Sequence, residues 1–421
     1  MRYLIILLFL ILPTTLFSKI NDQRTFKVDG PNSIELGSEN NYLSCSFLDQ
    51  RIKKECRVGS FSNLRGFYSD KNFRFTKPGF NKLKVPFAKN PDKELLDKAD
   101  VFMSKNPVMA LLIIKDGKRI LEKYQYNRNQ DHRFRAFSVS KSFVAMLVGI
   151  AIEKGYIKSI NDNVGMYWPE IKNSEYGKIK IINLLKMSST IFSRDGSIDP
   201  GESPTKDMYK FLFTNLNYWQ PEKFDKYLNN IKKNNTFKQG SKPIYTSVDS
   251  EVLTRVLIKA TGKGISELLQ EWIWEPMGGW SSSWWLYSKV DFSENGGGGF
   301  SATLNDYGRF GILLANDGKR DNLQIIPKNF LHNGTRKSKI EKNFLNVGKK
   351  FQFGYGYQTW ILDFENETFC ARGHYGQFLC VQPSTKIVFV QFSAGEHKLW
   401  ETSLYHNTYS FLKYTLKKLE N

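Results

Sequence analysis

The sequence predicts a mixed α/β (α+β) protein in which one antiparallel sheet is built from both ends of the region 96–421. Residues 108–126 form two apolar runs around a turn signal, and residues 354–392 contain short runs rich in β-branched and aromatic residues. Between them, residues from about 160 to 300 alternate helical patterns with loops. Strands at both ends favour a sheet flanked by helices, with a mainly helical segment inserted between them.

The first strands and the first long helix follow one another closely. The stretch MALLIIKDGKRILEKYQY turns at Asp116-Gly117, which is a strong β-hairpin signal. From Ser142 to Gly155, apolar residues recur at helical spacing on one face, and Gly155 predicts the end of that helix. A second helical pattern, from Trp400 to Leu419, closes the chain.

The composition is that of a folded globular protein. The chain has 421 residues, which suggests two or three domains. With 41% hydrophobic and 24% charged residues, it is not a wholly disordered, collagen-like or coiled-coil chain. The 61 Lys and Arg against 41 Asp and Glu give a net charge of +20. Because the lysines are spread along the chain, this charge is typical of a solvated surface, and we expect no nucleic-acid partner.

The first 18 residues match a secretory signal peptide. Arg2 precedes an unbroken apolar run, Leu4 to Leu12, and a short segment ending at Ser18 completes the pattern. The run is too short to span a bilayer, which takes about 20 apolar residues, and no later stretch approaches that length. We therefore expect an exported protein, periplasmic or secreted, with cleavage near Ser18; an uncleaved anchor is the alternative. Residues 19–95 follow as an extended leader with short strands, to which we assign no chemistry.

The four cysteines fall into two close pairs, Cys45 with Cys56 and Cys370 with Cys380. An even count of cysteines in an exported chain predicts two disulfides. Four buried thiols are the alternative, because spacing alone does not establish that the Cβ atoms approach closely enough.

Residues 138–141, SVSK, form an S-x-x-K motif directly ahead of the apolar helix. This spacing places Ser138 in the first helical turn and Lys141 one turn along on the same face. A desolvated amine accepts a proton from a hydroxyl more easily, and a helix N-terminus stabilises developing negative charge. The motif alone is weak, because Ser203 and Ser410 begin two further matches. Ser203 lies in a polar loop and Ser410 in the closing helix, so Ser138 is the favoured nucleophile.

The tripeptide YTS at residues 245–247 precedes a helical pattern with acidic residues in its first turn. Tyr245 is a candidate proton shuttle at this position. The alternative is structural, in which Thr246 or Ser247 caps the helix and Tyr245 packs against its neighbours. Tyr227, in the similar sequence YLN, is a rival candidate, although no apolar helix directly follows it.

The third candidate element is GHYGQ, residues 373–377, within a predicted pair of strands. Glycines beside a strand let a ligand or another backbone approach closely. The alternative for His374 is a hairpin residue without a role. None of the five histidines pairs with another at metal-ligand spacing, so we expect no metal site. The sequence NGGGGF, residues 295–300, lacks the Gly-Lys-Ser/Thr ending of a phosphate loop, and we expect no cofactor.

With these three elements in order, the chain resembles the serine β-lactamase and penicillin-binding-protein superfamily over roughly residues 100–420. The resemblance is to its class C-like branch, which contains family VIII carboxylesterases and 6-aminohexanoate-dimer hydrolases. It implies a β-lactamase/transpeptidase-like fold. The connecting segments that also resemble the family are FSVSKSFVAMLVGIAIEKGYI, NDNVGMYWPEI, IKIINLLKMSST, EPMGGW and GGGGFSATLNDYGRFGILLANDG.

The resemblance also implies roles for individual residues. Ser138 is the expected acylated nucleophile, Lys141 its base partner and Tyr245 the proton shuttle for the leaving group or the deacylating water. The backbone N–H groups of Ser138 and Gln377 form the expected oxyanion hole. The residues expected to bind substrate or line the cleft are Ser247, His374, Gly376 and Gln377.

Three positions depart from the family pattern. Ser247 stands where penicillin-directed members have Asn, and His374 stands where they have Lys. A lysine offers a fixed cation to a substrate carboxylate, whereas an ordinary histidine, with a pKa near ~6.5, is mostly neutral at pH 7. Both changes weaken a β-lactam hypothesis. Thr190 stands where the family places Gly, which concerns the local turn rather than the chemistry.

The sequence therefore predicts an exported serine hydrolase that cleaves an ester or linear amide bond in a small-molecule or peptide-like substrate. The runner-up hypothesis is a β-lactamase or D-alanyl-D-alanine carboxypeptidase that acts on peptidoglycan peptides. A third hypothesis is a non-catalytic envelope binding protein on the same fold. The sequence does not indicate an oligomeric state.

Overall fold

The sheet expected from the two ends of the chain is present in the computed structural model. The structure describes residues 23–46, 49, 53–67, 69–191, 221–231, 237–241, 243–287, 293–336, 345–347, 351–364, 366–396 and 402–420. The expected signal peptide, 1–18, and the S-x-x-K match at Ser203 lie outside these residues. Within them, no helix is both long enough and apolar enough to cross a membrane.

The strands of the described residues are numbered here in chain order. They are β1 Arg24–Phe26, β2 Phe73–Phe75, β3 Val108–Lys115, β4 Lys118–Tyr124, β5 Arg133–Arg135, β6 Trp284–Leu286, β7 Phe300–Thr303, β8 Lys319–Arg320, β9 Leu323–Gln324, β10 Leu345–Val347, β11 Phe351–Tyr355, β12 Trp360–Leu362, β13 Thr368–Gly373, β14 Gln377–Gln382 and β15 Ile387–Ser393. Nine of them form the main sheet, in the order β1-β4-β3-β15-β14-β13-β12-β11-β10. A smaller sheet has the order β2-β6-β7-β5.

The register of the main sheet confirms that both ends of the region build it. Strands β3 and β4 are the predicted hairpin, and both of its turn residues, Asp116 and Gly117, have positive φ. Strand β3 also pairs antiparallel with β15, with Leu112 opposite Val390. The other described neighbours are antiparallel too, except that β1 lies parallel to β4 at the edge.

The α-helices of the described residues are also numbered in chain order. They are α1 Arg57–Ser62, α2 Lys93–Lys105, α3 Ser140–Glu153, α4 Ile181–Leu185, α5 Pro221–Asn230, α6 Ser247–Thr261, α7 Ile265–Leu269, α8 Glu275–Met277, α9 Leu304–Ala315, α10 Lys328–Thr335 and α11 Ser403–Leu419. A π-helical turn, Gln270–Trp274, joins α7 to α8. Helices α4 to α8 occupy the segment expected to be mainly helical. Helix α3 ends ahead of Gly155, whose φ is 77°.

The main sheet has a buried core on each face, and strand β3 shows how one sequence serves both. Ala110, Leu112 and Ile114 pack into the core that contains helices α3, α6 and α9, whereas Leu111 and Ile113 pack into the core that contains α2 and α11. Because side chains alternate across a strand, a strand covered on both sides needs an unbroken apolar run. The run in β3 meets this requirement.

Both predicted disulfides are formed. Cys370 and Cys380 lie directly opposite each other in the register of β13 and β14. Cys45 is joined to Cys56, the residue that immediately precedes α1. Leader residues such as Phe61 belong to the same core cluster as helix α3, so this disulfide ties down a segment that packs against the rest of the chain.

Candidate active site

Ser138 lies in a 3₁₀ turn, Phe137–Val139, that leads directly into helix α3. Phe137 has a φ of 47°, a left-handed conformation that costs a bulky residue about 1–3 kcal/mol. Packing holds it there, because the Arg135 guanidinium lies 4.5 Å from its ring centroid and the Phe61 ring meets it edge-on at 4.9 Å. The hydroxyl is thus placed at a helix N-terminus, where the backbone dipoles favour negative charge.

Lys141 is 1% exposed, and its amine lies among three oxygen atoms. Its Nζ is 3.0 Å from Ser138 Oγ, 3.2 Å from Ser247 Oγ and 2.5 Å from the Gly297 carbonyl oxygen. Burial lowers the pKa of Lys141, because desolvation disfavours the ammonium form, while the charge of Glu251 acts in the opposite direction. A lysine with a lowered pKa is more often a free amine, the form that accepts a proton from a hydroxyl.

Tyr245 lies beside Lys141, in the loop ahead of helix α6. The Lys141 Nζ is 5.6 Å from the Tyr245 ring centroid, and the ring stacks on Trp360 with a centroid separation of 5.6 Å. Thr246 caps α6, with its hydroxyl oxygen accepting from a backbone N–H of the first turn. The capping interpretation therefore holds for Thr246, whereas Ser247 contacts the lysine.

The turn between β13 and β14, residues 374–376, lies against the turn that carries Ser138. A Cβ at Gly373 would collide with the Ala136 carbonyl oxygen. The rings of Tyr375 and Phe137 are 5.1 Å apart. The close backbone approach expected here is therefore made by Gly373 to the turn that carries Ser138, whereas Gly376 lies against Leu404 and Ser393.

Gln377, the first residue of β14, stabilises this turn through hydrogen bonds of its buried side chain. Its side chain is buried, and the amide Nε2 donates to the carbonyl oxygens of His374, at 3.0 Å, and Ser393, at 2.8 Å. The Gly376 N–H donates to the Tyr405 hydroxyl at 3.3 Å. These bonds fix the backbone next to His374.

Within the described residues, the alternative candidates from the sequence lie on helices α5 and α11. Ser410 and Lys413 are both exposed on helix α11. Tyr227 is half-buried on α5, where it packs against the core cluster. Thr190, at the position where the family places Gly, has a φ of 56°, and its hydroxyl donates to the Ser189 carbonyl at 2.7 Å. The turn thus forms with threonine in the conformation that glycine adopts most easily.

Sequence reasoning gave no role to Glu251, Gly297 or Gln358, all of which lie near the site. The Gln358 backbone oxygen accepts from Ser142 Oγ at 2.6 Å, and its side-chain oxygen accepts from Ser250 Oγ at 2.9 Å, so one residue joins α3 to α6. These partners are 216 and 108 positions away along the chain. No local pattern in the sequence marks such a contact.

Helix α1 of the leader supports the site loops. The Phe61 ring lies 4.9 Å from the ring of Phe137 and 4.6 Å from that of Tyr375. Arg57 donates from Nη1 to the Gly395 carbonyl at 3.1 Å, and the Gly395 N–H donates to the Tyr375 carbonyl at 3.1 Å. The leader thus braces both turns that meet at Ser138.

Phe61→Ala is expected to lower the free energy of unfolding by about 3–5 kcal/mol, since it leaves a cavity between two site loops. Urea unfolding followed by tryptophan fluorescence measures this change. Phe80→Ala, in the same leader at a side chain 97% exposed, is the matched control and should change little. Equal effects of the two substitutions would show that α1 does not brace the site.

Asp249, on helix α6, gives the protein a pH-dependent stability. It is fully buried and accepts from the Tyr176 hydroxyl at 2.9 Å. Burial raises the pKa of Asp249 to about 7. The unfolded chain, with an ordinary Asp pKa near ~3.9, has already lost the proton that the folded state keeps, so stability falls as pH rises from about 4 to about 7.

Asp249→Asn is expected to remove this contribution. From pH 5 to pH 8 the free energy of unfolding of the wild type should fall relative to that of the variant. The difference should be at least about 1.4 kcal/mol, the equivalent of one pKa unit. Urea unfolding at both pH values measures the difference. Asp321→Asn, at a side chain 89% exposed, is the control and should leave the pH profile as in the wild type. A pH-independent difference for Asp249→Asn would contradict the assignment.

A serine beside a buried lysine and a tyrosine, in a fold whose main sheet is flanked by helices, is typical of the β-lactamase-like class of serine hydrolases. The family model described as Beta-lactamase matches residues 96–404. The chain belongs to this family. The family resemblance predicted from the sequence motifs is therefore confirmed.

Individual relatives agree with this placement. The 6-aminohexanoate-dimer hydrolase of Paenarthrobacter ureafaciens is 24% identical over 291 residues, which are 68% of this chain and 72% of that protein. Among solved structures, a proposed 6-aminohexanoate-dimer hydrolase from Bacillus anthracis matches with a TM-score of 0.72 at 24% identity, over 91% of this chain and 100% of that one. A family VIII carboxylesterase matches with a TM-score of 0.58 at 14% identity, over 80% and 100%. The predicted fold is confirmed.

Proposed function

We propose that the protein hydrolyses an ester or a linear amide through an acyl-enzyme on Ser138. The observation that carries this proposal is the 3.0 Å separation of Lys141 Nζ and Ser138 Oγ, at a buried amine whose pKa is lowered. A nucleophile within hydrogen-bond reach of a base is the arrangement that covalent catalysis requires. Membership of the β-lactamase family supports the same chemistry.

In the proposed reaction, Ser138 Oγ attacks the substrate carbonyl carbon while its proton passes to the free amine of Lys141. Tyr245, beside that amine, relays a proton to the leaving group as its bond to the carbonyl breaks. Water then gives a proton to the same groups and attacks the carbonyl carbon of the acyl-serine ester. The bond from that carbon to Ser138 Oγ breaks, the proton passes to Oγ, and the acid leaves the restored serine. The N–H groups of Ser138 and Gln377 are the proposed oxyanion donors, and loss of one such donor typically costs ~2.7–4 kcal/mol.

The proposed substrate class follows from the cations near the site. Arg372, next to Gly373, is 3% exposed, and its guanidinium carbon lies 5.0 Å from the ring centroids of Phe353 and Trp360. A cation enclosed by aromatic rings is not presented to a substrate carboxylate. With His374 at the position of the family lysine, the site favours a neutral ester or linear amide over a β-lactam or a peptide carboxylate.

We also propose that the protein works outside the cytoplasm, in the periplasm or secreted. The two disulfides support this location, because disulfides persist in oxidising compartments. The intact mass of the protein recovered from the periplasmic fraction tests the proposal. A mass that lacks about the first 18 residues is expected, whereas full-length reduced protein in the cytosol would contradict it.

Labelling with a fluorophosphonate tests the nucleophile. Intact-mass measurement is expected to show one adduct on the wild type and none on Ser138→Ala. Ser410→Ala, which removes the serine of an exposed S-x-x-K match, is the matched control and should keep the adduct. An adduct that persists on Ser138→Ala would overturn the site assignment.

Turnover of a substrate panel tests the substrate class. We expect neutral short-chain p-nitrophenyl esters or neutral linear amides, such as short-chain p-nitroanilides, to be hydrolysed faster than a chromogenic cephalosporin, which carries a carboxylate. Faster cephalosporin turnover would instead favour the β-lactamase or carboxypeptidase hypothesis. A persistent adduct without turnover would favour the binding-protein hypothesis.

A further inference from the structure

A buried glutamate on helix α6 reaches the active-site lysine through one glycine. Glu251 is 3% exposed, and its Oε1 accepts from the Gly297 N–H at 2.8 Å. The carbonyl oxygen of the same glycine accepts from Lys141 Nζ at 2.5 Å. Two hydrogen bonds and one residue therefore join the carboxylate to the amine beside Ser138.

The side chains of Glu251 and Lys141 both approach Gly297 closely. A Cβ at Gly297 would lie 2.7 Å from Glu251 Oε1 and 3.4 Å from Lys141 Nζ. Any other residue would push the carboxylate away from the backbone. This approach explains part of the glycine-rich segment, residues 295–300, which lacks the ending of a phosphate loop.

Lys141, Glu251 and Arg255 are the charged groups that act on one another at this junction. Glu251 acts on Lys141 by favouring its ammonium form, against the effect of burial. Burial raises the pKa of Glu251, because it disfavours the charged form of this group too. Gly297, Lys141 and Arg255 act to lower the pKa of Glu251. The Tyr245 ring, in the loop ahead of the same helix α6, also lies near the amine, with its centroid 5.6 Å from Lys141 Nζ. Among the described residues, Glu251 is thus the carboxyl group whose charge acts on Lys141.

We infer that Glu251 is a positioning residue, which holds the Gly297 backbone against Lys141 and balances the charge of the amine beside Ser138. Its catalytic consequence rests on the proposed function, but its effect on the lysine does not. Without the carboxylate the ammonium form loses its balancing charge. The amine then loses its proton at a lower pH, and the rate of Ser138 acylation reaches its plateau at a lower pH.

The direct test is an NMR titration of Lys141 in protein labelled with ¹³C at lysine Cε, with the signal identified by its loss in Lys141→Arg. Glu251→Gln keeps the size of the side chain and an acceptor for the Gly297 N–H, but removes the charge. Its Lys141 midpoint is expected at least about one pH unit below that of the wild type. Glu251→Asp, with its carboxylate drawn back, is expected between the two.

Asp249→Asn is the matched control, because Asp249 is a buried carboxylate on the same helix that bonds Tyr176 instead of the glycine junction. It should leave the Lys141 midpoint unchanged. A midpoint in Glu251→Gln equal to that of the wild type overturns the inference. If circular dichroism shows that Glu251→Gln does not fold, the Lys141 midpoint in Glu251→Asp is used instead. A midpoint below that of the wild type supports the inference, and an equal midpoint overturns it.

The pH profile of fluorophosphonate labelling gives a second measurement. Its acidic limb is expected to move to lower pH in Glu251→Gln and to stay in place in Asp249→Asn. A uniformly slower reaction with an unmoved limb would mean that Glu251 acts through packing alone, and would overturn the inference. Failure of the wild type to label at Ser138 would overturn the proposed function, while the lysine titration would still decide the role of Glu251.

Discussion

Lys141→Met is expected to lower kcat/KM for the preferred ester or amide by about 10²–10⁴-fold, the usual contribution of a positioned general base. Lys141 is 1% exposed, and methionine keeps much of its apolar stem, but methionine cannot accept the Ser138 proton. Because the free amine is the acting form, the wild-type rate should rise with pH through the pKa of Lys141, which burial lowers. Steady-state kinetics across pH measures both effects.

Two further variants separate this role of Lys141 from a structural one. Lys141→Arg keeps a positive charge but does not lose its proton at accessible pH, so we expect it to be as slow as Lys141→Met. Lys413→Met, in the exposed S-x-x-K match on helix α11, should react like the wild type. A rate for Lys141→Met within tenfold of the wild type would exclude Lys141 as the base.

Tyr245→Phe is expected to lower kcat by about 10²–10⁴-fold, because it removes the hydroxyl that relays protons to the leaving group and from water. The ring stacked on Trp360 remains, so the fold around it should be preserved. If release of the acid is the slower step, pre-steady-state kinetics with a p-nitrophenyl ester should show a burst of acylation. Stopped-flow absorbance measures the burst and the later rate separately.

The rival tyrosine supplies the control for this prediction. Tyr227 is half-buried on helix α5, and Tyr227→Phe should retain wild-type kcat and burst behaviour. A slow Tyr227→Phe together with a fast Tyr245→Phe would reverse the assignment of the proton shuttle. Thermal unfolding of both variants shows whether either loss comes from the fold.

The features of the fold that depend on residues close together in the chain could be predicted from the sequence. Asp116 and Gly117 form the β3–β4 turn, and the apolar residues from Phe143 to Ala151 lie in helix α3, in which residues 140–151 are all buried. The cysteine pairs are 11 and 10 positions apart, and both pairs form disulfides. Such signals are carried by residues that are close in the chain.

The candidate site was predictable as three separate motifs but not as one arrangement. The contact between Ser138 and Lys141 follows from helical spacing, because the two residues are three positions apart. The contact between Lys141 and Ser247 spans 106 positions, and that between Lys141 and Gly297 spans 156. In the sequence, the motifs of Ser138 and Tyr245 are linked only by the resemblance to a family in which they occur in this order.

The amino-acid sequence by itself determined the β-hairpin, the helix that carries Ser138, and the family to which the chain belongs. These features rest on propensity, periodicity and short motifs, which act over a few residues. Only the tertiary structure decided that Glu251 meets Lys141 through Gly297, and that Phe61 of the leader braces the turn before Ser138. Such contacts depend on how distant segments pack, because burial and close approach are properties of the folded chain as a whole.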